Sequence, residues 1–355
     1  MKNSFLFIFL TAILLVSCGT KSGNQFQKNQ GPKIELIDKT SDKRIDIMID
    51  GKLFTSYCWP DNVYKPILYP VLTAAGTEIT RGFPIKSRTG ERADHPHQTG
   101  MWLTYGNVNG TDFWGNGSEG LGIENENGGV IKHLKVENLS GGIGAGFMVT
   151  VESWTDKSGK ELLAERTEYY FSVSGSTRII DRITTLTASN EEISMPDTKE
   201  GMFGIRVARQ LELPSEGEIT LYSADGPSII VSEMSNEGIS GNYRSSEGAA
   251  GLDVWGTRAE WMHLYGNIGD EKISLVICDH PENPNYPTYW HARGYGLFSA
   301  NPLGSNDFTK GAERFDFRIP TGQSVTFRYR VILSSGIHLD DTDINAYADD
   351  FARVY

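Results

Sequence analysis

Hydrophobic and polar residues alternate with a period of two along most of the chain, which predicts β-strands from end to end. Ile45, Ile47 and Ile49 show the pattern, and the Asp-Gly pair at 50–51 is a signal for a tight hairpin turn. Residues 167–173 show the alternation again. One face of each such strand should pack in a core while the other face meets water.

The C-terminal region combines a predicted hairpin with a helical pattern. Residues 315–319 alternate, Pro-Thr-Gly-Gln at 320–323 supplies a turn, and residues 325–333 alternate again, so we expect an antiparallel pair. Apolar residues between 344 and 351 then recur at helical spacing, after a capping Asp or Thr at 340–342. A short helix should therefore close the chain.

Composition favours an all-β chain. Glycine accounts for 39 of the 355 residues, which exceeds the usual share of ~7%, and aromatic residues make up 11%. The sequence has no repeat of roughly 20–50 residues, which disfavours a propeller or a solenoid. Because no linker-like stretch interrupts residues 33–355, we expect one domain there: a large antiparallel two-sheet sandwich with a short C-terminal helix.

The N-terminus has the features of an export signal. A positive start precedes an apolar run at 5–16 that is too short to span a membrane, and Leu-Val-Ser-Cys at 15–18 resembles a bacterial lipobox. We expect a lipoprotein signal peptide at 1–17, a lipidated Cys18 and a flexible tether over 18–32. The domain would be held in the cell envelope by lipid alone, facing the periplasm, with the outer membrane favoured over the inner.

Charge and missing motifs narrow the functional classes. A formal net charge of -12 disfavours binding to nucleic acid, which requires a basic face. The chain lacks a phosphate-binding loop, a dinucleotide-binding glycine fingerprint and the Gly-x-Ser-x-Gly motif of serine hydrolases. We expect no cofactor. Cys58 and Cys278 fit either a disulfide or two separate buried thiols.

The first segment with candidate chemistry is 88–114. His95 and His97 flank a proline, so an extended backbone would point both imidazoles to one side. Such a pair can supply two metal ligands, or a general acid and its partner. Arg88 and Trp102 lie in the same segment and are candidates for binding a substrate.

Two further segments carry candidate residues. In 278–302, a loop stiffened by prolines follows a predicted strand, and the candidate residues are Asp279, His280, Asn283, Trp290, His291 and Arg293. In 200–209, Glu200 offers a carboxylate, and Arg206 lies on a predicted strand where its guanidinium could bind a substrate carboxylate or form a structural ion pair.

Four groups of motifs extend across the chain. They are Tyr-Pro-Val-Leu-Thr at 69–73 with Thr-Arg-Gly-Phe-Pro at 80–84, Asp-His-Pro-His-Gln-Thr-Gly-Met-Trp at 94–102, Asn-Val-Asn-Gly-Thr-Asp-Phe-Trp at 107–114, and Asp-His-Pro at 279–281 with Trp-His-Ala-Arg at 290–293. Together they resemble the PmoA-like family of exported bacterial proteins, also filed as a domain of unknown function. The family usually has a third histidine where this chain has Gln98, which weakens a metal site on that loop alone. The resemblance implies no established activity, and the all-β pattern is also similar to the galactose-mutarotase-like supersandwich.

These features lead to one main functional hypothesis and two alternatives. In the main one, a cleft acts on or binds a sugar, as an epimerase, lyase or hydrolase would: a histidine gives a proton, Asp279 or Glu200 takes one, and arginines neutralise negative charge. Its residues are His95, His97, Asp279, His280, His291, Arg206 and Arg293, with Trp102 and Trp290 as stacking platforms. In the first alternative, His95 and His97 bind copper, iron or zinc with Asp279 and with His280 or His291. In the second, the protein binds a glycan without catalysis. The partner in each case is a carbohydrate or another small molecule.

Overall fold

The described residues of this computed structural model are 31–116, 126–226, 228–233 and 235–355. The predicted signal peptide, Cys18 and all of the predicted tether except its last two residues lie outside them. In chain order the strands are β1 Lys33–Lys39, β2 Arg44–Ile49, β3 Lys52–Cys58, β4 Ile67–Val71, β5 Met101–Tyr105, β6 Val130–Ile143, β7 Ala145–Thr155, β8 Glu161–Ser174, β9 Thr177–Thr187, β10 Ile193–Met195, β11 Gly201–Arg206, β12 Ile219–Tyr222, β13 Ser228–Val231, β14 Asn242–Ser245, β15 Trp261–Ile268, β16 Glu271–Cys278, β17 Tyr289–Ala292, β18 Leu297–Asn301, β19 Phe317–Ile319 and β20 Ser324–Ser335. The α-helices are α1 Ser305–Phe308, a single turn, and α2 Asp341–Val354; short 3-10 turns lie at Thr40–Asp42, Arg209–Leu211 and Gly251–Val254.

Among the described residues, sixteen strands form one antiparallel sheet in the order β14-β15-β16-β20-β9-β8-β7-β6-β1-β2-β3-β4-β5-β11-β18-β17. Its two halves meet where β1 pairs with β6, at Lys33 with Ile143 and Ile34 with Gly142. The predicted hairpin at 50–51 is present and joins β2 to β3. Two small two-stranded sheets, β10-β19 and β12-β13, complete the strands.

The two halves of the large sheet face each other and share one apolar core. Phe54 of β3 meets Phe171 of β8 edge-on, with ring centroids 6.5 Å apart. Phe203 of β11 stacks on Tyr329 of β20 at 4.9 Å. Burying such rings is the main source of stability, at about 1.5–3 kcal/mol for each large apolar side chain. The expected all-β sandwich is confirmed, with its two layers continuous through β1 and β6.

The predicted C-terminal hairpin is wrong. β19 pairs with β10, whereas β20 lies between β9 and β16 and pairs with both. β9 pairs along residues 324–333 of β20 and β16 along residues 330–335, so β19 is not among the partners of β20. The turn at 320–323 does form, since the Gln323 amide donates to the Pro320 carbonyl, but it leads the chain from the small sheet into the large one.

The predicted C-terminal helix is confirmed as α2. Asp340 caps it by accepting a hydrogen bond from the Asp343 amide at 3.0 Å, and Ile344 and Phe351 bury its apolar stripe against the outer face of β16 and β20. Arg330 of β20 donates to Asp350 of the helix at 2.9 Å. None of the described helices is long and apolar enough to cross a membrane.

Both cysteines of the described residues carry free thiols, so the open question of a disulfide is answered in favour of two separate side chains. Burial raises the pKa of the Cys58 thiol to about 12 and raises the pKa of Cys278 as well. A thiol with a raised pKa is a poor nucleophile, which agrees with a structural role for each.

We predict that Phe203→Ala lowers the free energy of unfolding by about 3–5 kcal/mol, because it removes a fully buried ring between the two layers. Phe147→Ala is the matched control: Phe147 is half-buried and packs on Tyr170, and its loss should cost about 1 kcal/mol. Urea unfolding followed by tryptophan fluorescence measures both values. Equal losses in the two variants would contradict the role given to the contact between layers.

Candidate functional site

The loop that carries His95 and His97 leads into β5. His95 has a left-handed backbone with φ of 43°, and Gly100, with φ of 63°, ends the loop. A Cβ on Gly100 would lie 2.7 Å from the Leu68 carbonyl oxygen of β4, so only glycine allows the chain to turn there. The expected extended backbone at His95 is therefore wrong. The two imidazoles remain neighbours all the same, with ring centroids 5.7 Å apart.

Asp94 and two buried arginines hold this loop in place. Arg206, at the end of β11, donates to the Asp94 carboxylate at 2.6 Å and to the Gln98 side-chain oxygen. Arg81 donates to the same carboxylate at 2.8 Å and to the carbonyls of His95 and Gln98, both at 2.9 Å. Burial works against ionisation of Asp94, but the charges of Arg206 and Arg81 and a hydrogen bond from His95 outweigh it and lower its pKa well below the usual range.

Asp94 also orients His95. Nδ1 of His95 lies 3.2 Å from the Asp94 carboxylate, and the histidine side chain is 43% exposed. The imidazole stacks face to face on Tyr295, with centroids 5.2 Å apart and an interplanar angle of 1°. A carboxylate that fixes one imidazole nitrogen, with the ring open to solvent, is an arrangement suited to general acid–base chemistry.

A cleft of about 770 Å³ opens beside this pair, with Tyr295 in its wall. Trp255 and Arg293 line the same wall, and the Arg293 guanidinium lies 5.6 Å from the Trp255 ring and 5.7 Å from the Tyr295 ring. Glu216 and Glu218 also line the cleft. Aromatic faces, a guanidinium and carboxylates in one concave surface can bind a polyhydroxylated ligand through stacking and charged hydrogen bonds.

A buried lysine lies under the histidine loop. Lys65 is only 3% exposed, donates to the His97 carbonyl, and lies 5.1 Å from the ring of Trp102. Burial lowers the pKa of Lys65 to about 7. Burial, together with the charge of Lys65, lowers the pKa of His97 to about 2, so that imidazole is neutral at ordinary pH.

Buried aromatic side chains connect the predicted segments 88–114 and 278–302. Trp102 is fully buried and packs on Trp114, with centroids 5.4 Å apart, so it offers no open face for a sugar. His291 of β17 stacks on Trp114 at 6.2 Å, and burial lowers its pKa to about 3. The structure thus brings six of the predicted site residues into one region: His95, His97, Trp102, Arg206, His291 and Arg293.

Asp279, His280 and Asn283 lie elsewhere. Burial raises the pKa of Asp279 to about 7, and its carboxylate accepts hydrogen bonds from Asn283 at 2.7 Å and from the Thr288 amide at 2.8 Å. His280 packs edge-on against Phe351 of α2, with centroids 5.0 Å apart. The hydrogen bonds of Asp279 lie within the proline-rich loop, and His280 packs the loop against α2. Asp94, rather than Asp279, is therefore the carboxylate that partners a histidine at the cleft.

Three other candidates make structural contacts. Glu200 forms an ion pair with its neighbour Lys199. Arg88 pairs with Glu78 at 3.1 Å and also with Glu91. Trp290 is fully buried in the core, where its indole donates to a backbone carbonyl at 3.0 Å, so it presents no face to a ligand.

The metal alternative finds no support in the arrangement of side chains. Within the described ranges, no group of three or more His, Cys, Asp or Glu residues could hold a metal ion. His95, His97 and His291 therefore do not form a ligand set by themselves. Gln98 occupies the position of the missing third histidine and instead accepts a hydrogen bond from Arg206.

Several residues of the site could not be assigned from the sequence. Asp94 stood in the crowded segment next to His95, so its neighbourhood was a signal. Tyr295 lies only two positions after the motif residue Arg293, and this nearness is its one signal in the sequence. Lys65 and Trp255 come from chain segments with no chemical pattern of their own, and only the fold reveals that they contribute.

A family model described as a family of unknown function (DUF6807) matches residues 44–349. The chain belongs to this family. Membership of a family of unknown function, expected from the sequence, is thereby confirmed. No curated protein matches the DUF6807 chain in sequence.

Solved structures of low sequence identity are similar to this DUF6807 chain. One is the galactosidase domain of alpha-galactosidase-sucrose kinase, with 11% identity, coverage of 84% of this chain and 41% of that chain, and a TM-score of 0.38. A putative aldose 1-epimerase from Escherichia coli K12 has 10% identity, coverage of 86% and 99%, and a TM-score of 0.28. A galactose mutarotase related enzyme from Lactobacillus acidophilus has 8% identity, coverage of 86% and 98%, and a TM-score of 0.29. This chain thus spans less than half the length of the first structure.

We predict that Asp94→Asn lowers the free energy of unfolding at about pH 7 by about 3 kcal/mol, because Arg81 and Arg206 stay buried without their counter-charge. The folded pKa of Asp94 lies below the ordinary value of about 3.9, so the ionised carboxylate stabilises the fold above that pH. The contribution is lost as the pH falls from there toward the folded pKa. The difference in the free energy of unfolding between wild type and Asp94→Asn should therefore become smaller below about pH 4.

Urea titrations at several pH values measure that gap. Asp61→Asn serves as the control, because the Asp61 side chain is 85% exposed and its removal should change little at any pH. A gap that stays constant across the acid range would contradict the role given to the Asp94 charge.

Proposed function

We propose that this protein binds a carbohydrate in the cleft walled by Trp255, Arg293 and Tyr295, and acts on it by acid–base chemistry at His95. The observation that carries the proposal is the Asp94–His95 pair, with its exposed imidazole stacked on a residue of the cleft wall. This combination puts a titratable group at the edge of a concave aromatic surface, where a bound ring could meet it.

The roles within the pair follow from its geometry. Asp94 holds Nδ1 of His95, which leaves Nε2 as the nitrogen that exchanges a proton with a ring or glycosidic oxygen. Arg206 and Arg81 keep Asp94 ionised and fixed, so it acts as a positioning residue for the imidazole. The left-handed backbone of His95 helps to direct the ring toward Tyr295.

The cleft supplies the binding surface. Indole and phenol faces cover the apolar face of a sugar ring, while Arg293 donates to hydroxyl or acidic groups. The same surface could bind a glycan without turnover, since it does not require His95 for contact. A binding protein without catalysis is therefore the second candidate, favoured by the position of Arg293 near both Trp255 and Tyr295.

We further propose that the protein is a lipoprotein of the cell envelope that faces the periplasm and serves carbohydrate utilisation. The support is the lipobox-like sequence that ends at Cys18, together with the resemblance of four motif groups to the exported PmoA-like family. Lipid, rather than a protein helix, would then attach the domain to the membrane.

We predict that His95→Asn lowers turnover of a bound sugar by about 100-fold or more, while the dissociation constant changes by less than about threefold. Asparagine tolerates the left-handed backbone, so the loop should keep its shape. Calorimetric titration with a panel of mono- and oligosaccharides, followed by product analysis, measures both quantities.

His338→Asn is the matched control, because His338 contacts the Gly266 carbonyl and Tyr265 and has no contact with the cleft wall. Sugar binding without turnover in the wild type would favour the binding protein. If no sugar of the panel binds, the carbohydrate proposal fails.

We predict that Cys18→Ser moves the protein from the membrane fraction to the soluble fraction and abolishes incorporation of labelled palmitate. The reason is that the thiol is the site of lipid attachment in this class of signal. Cys58→Ser, inside the folded domain, should leave both readouts unchanged. Label retained by the Cys18→Ser protein would contradict a lipid on that residue.

A further inference from the structure

Under the histidine loop, several buried polar nitrogens have no hydrogen-bond partner in the part of the chain that the structure describes. They are the indole nitrogens of Trp102 and Trp114 and the Nδ1 atoms of His97 and His291. Buried polar groups in folded proteins are nearly always paired, so a cluster of unpaired ones marks a place where a ligand or ordered water supplies the partners. An indole N–H can only donate, and its missing partner must therefore be an acceptor.

The side chains of these nitrogens are neighbours rather than scattered. Trp114 contacts both Trp102 and His291, with centroid distances of 5.4 and 6.2 Å. The Lys65 ammonium lies 5.1 Å from the Trp102 ring and donates to the His97 carbonyl. The charge of Asp112 also acts on this ammonium. We call these five residues the inner donor set.

The chemistry of the inner donor set favours an anion with hydroxyl groups beside it. Two indole N–H groups and an ammonium suit the two oxygens of a carboxylate, while a neutral imidazole nitrogen accepts from a hydroxyl. Lys65 gives the set a positive charge. Burial lowers the pKa of Lys65 to about 7 and the charge of Asp112 partly opposes that effect; a bound anion would act in the same direction as Asp112. The set approaches the surface through His97 and the exposed His95, which stacks on Tyr295 of the cleft.

We propose that the inner donor set binds the carboxylate of an acidic sugar, so that the ligand of this protein is a uronic acid or a glycan that contains one. The proposal rests on the proposed carbohydrate function and gives its substrate class. It also assigns distinct tasks to the two regions: the aromatic cleft contacts the sugar ring, and the inner donor set recognises its charge.

The test compares D-glucuronate and D-galacturonate with D-glucose, D-galactose and acetate by calorimetric titration of the full folded chain. We expect the wild type to bind at least one uronate about tenfold or more tighter than the matched neutral sugar, and to bind acetate weakly. Lys65→Met, which keeps the aliphatic stem and removes the charge, should abolish the preference for the uronate. Trp114→Phe, which keeps a ring in the stack but removes the N–H, should weaken uronate binding severalfold and reduce the preference for the uronate over the matched neutral sugar.

Lys52→Met is the control for Lys65→Met, since Lys52 is an exposed lysine on β3. Thermal unfolding establishes that each variant is folded. If Lys65→Met does not fold, Trp114→Phe still tests the proposal. The proposal is overturned if no uronate binds, if uronates bind no tighter than their neutral counterparts, or if acetate binds as tightly as the uronates.

The variant Trp255→Ala distinguishes failure of this proposal from failure of the proposed carbohydrate cleft. If the wild type binds neutral sugars and Trp255→Ala loses them, but no uronate preference exists, the carbohydrate cleft stands and the inner donor set does not bind carboxylate. If uronate binding depends on Lys65 but is unaffected by Trp255→Ala, the charge site stands and the proposed cleft fails.

Discussion

The arrangement of the candidate site depends on one buried interaction, the carboxylate of Asp94 between Arg81 and Arg206. Arg206 is fully buried at the end of β11 and Arg81 is nearly so, and neither guanidinium could remain there without a counter-charge. Their shared partner is a residue of the histidine loop. The cost of leaving buried cations unpaired therefore fixes the position of the loop, and with it the direction of His95 and His97.

The order of the strands explains why residues so far apart in sequence meet at this point. β4, β5, β11, β18 and β17 are consecutive neighbours in the sheet. The histidine loop enters β5, Arg206 ends β11, and Tyr295 lies in the turn between β17 and β18. Three chain segments therefore meet at the same end of adjacent strands, and Phe203 of β11 packs on Tyr329 of the other layer.

Much of the fold could be predicted from local sequence, because the spacing of apolar residues indicates which face of a strand or helix is buried. The hairpin at 50–51 and the stripe from Ile344 to Phe351 both follow this rule. Pairing is less local. Residues 317–319 carry a strand pattern beside a good turn, yet β19 pairs with β10 while β20 pairs with β9 and β16. Which strand a segment pairs with depends on the whole sheet, and the pattern of one segment does not determine it.

The candidate site could likewise be predicted only in part, because contacts between distant segments depend on the whole fold. His95, His97, His291, Arg206 and Arg293 could be singled out as candidates because chemically active residues crowd their segments. Asp279 and His280 have an equally suggestive pattern, but their loop folds back so that its hydrogen bonds are satisfied within it and against α2. Lys65 has no pattern at all. Its importance comes from burial, which depends on packing by the two layers and not on its sequence neighbours.

Two histidines separated by one proline are thus placed in opposite environments. His95 is 43% exposed and has a carboxylate on one nitrogen, so its ring is oriented and open to solvent and ligand. His97 is largely buried above an ammonium, and that surrounding keeps its imidazole neutral. A neutral, fixed ring recognises hydrogen-bonding groups, whereas an open, oriented ring exchanges protons. The short motif therefore places both functions side by side, at the boundary between the cleft and the buried donors beneath it.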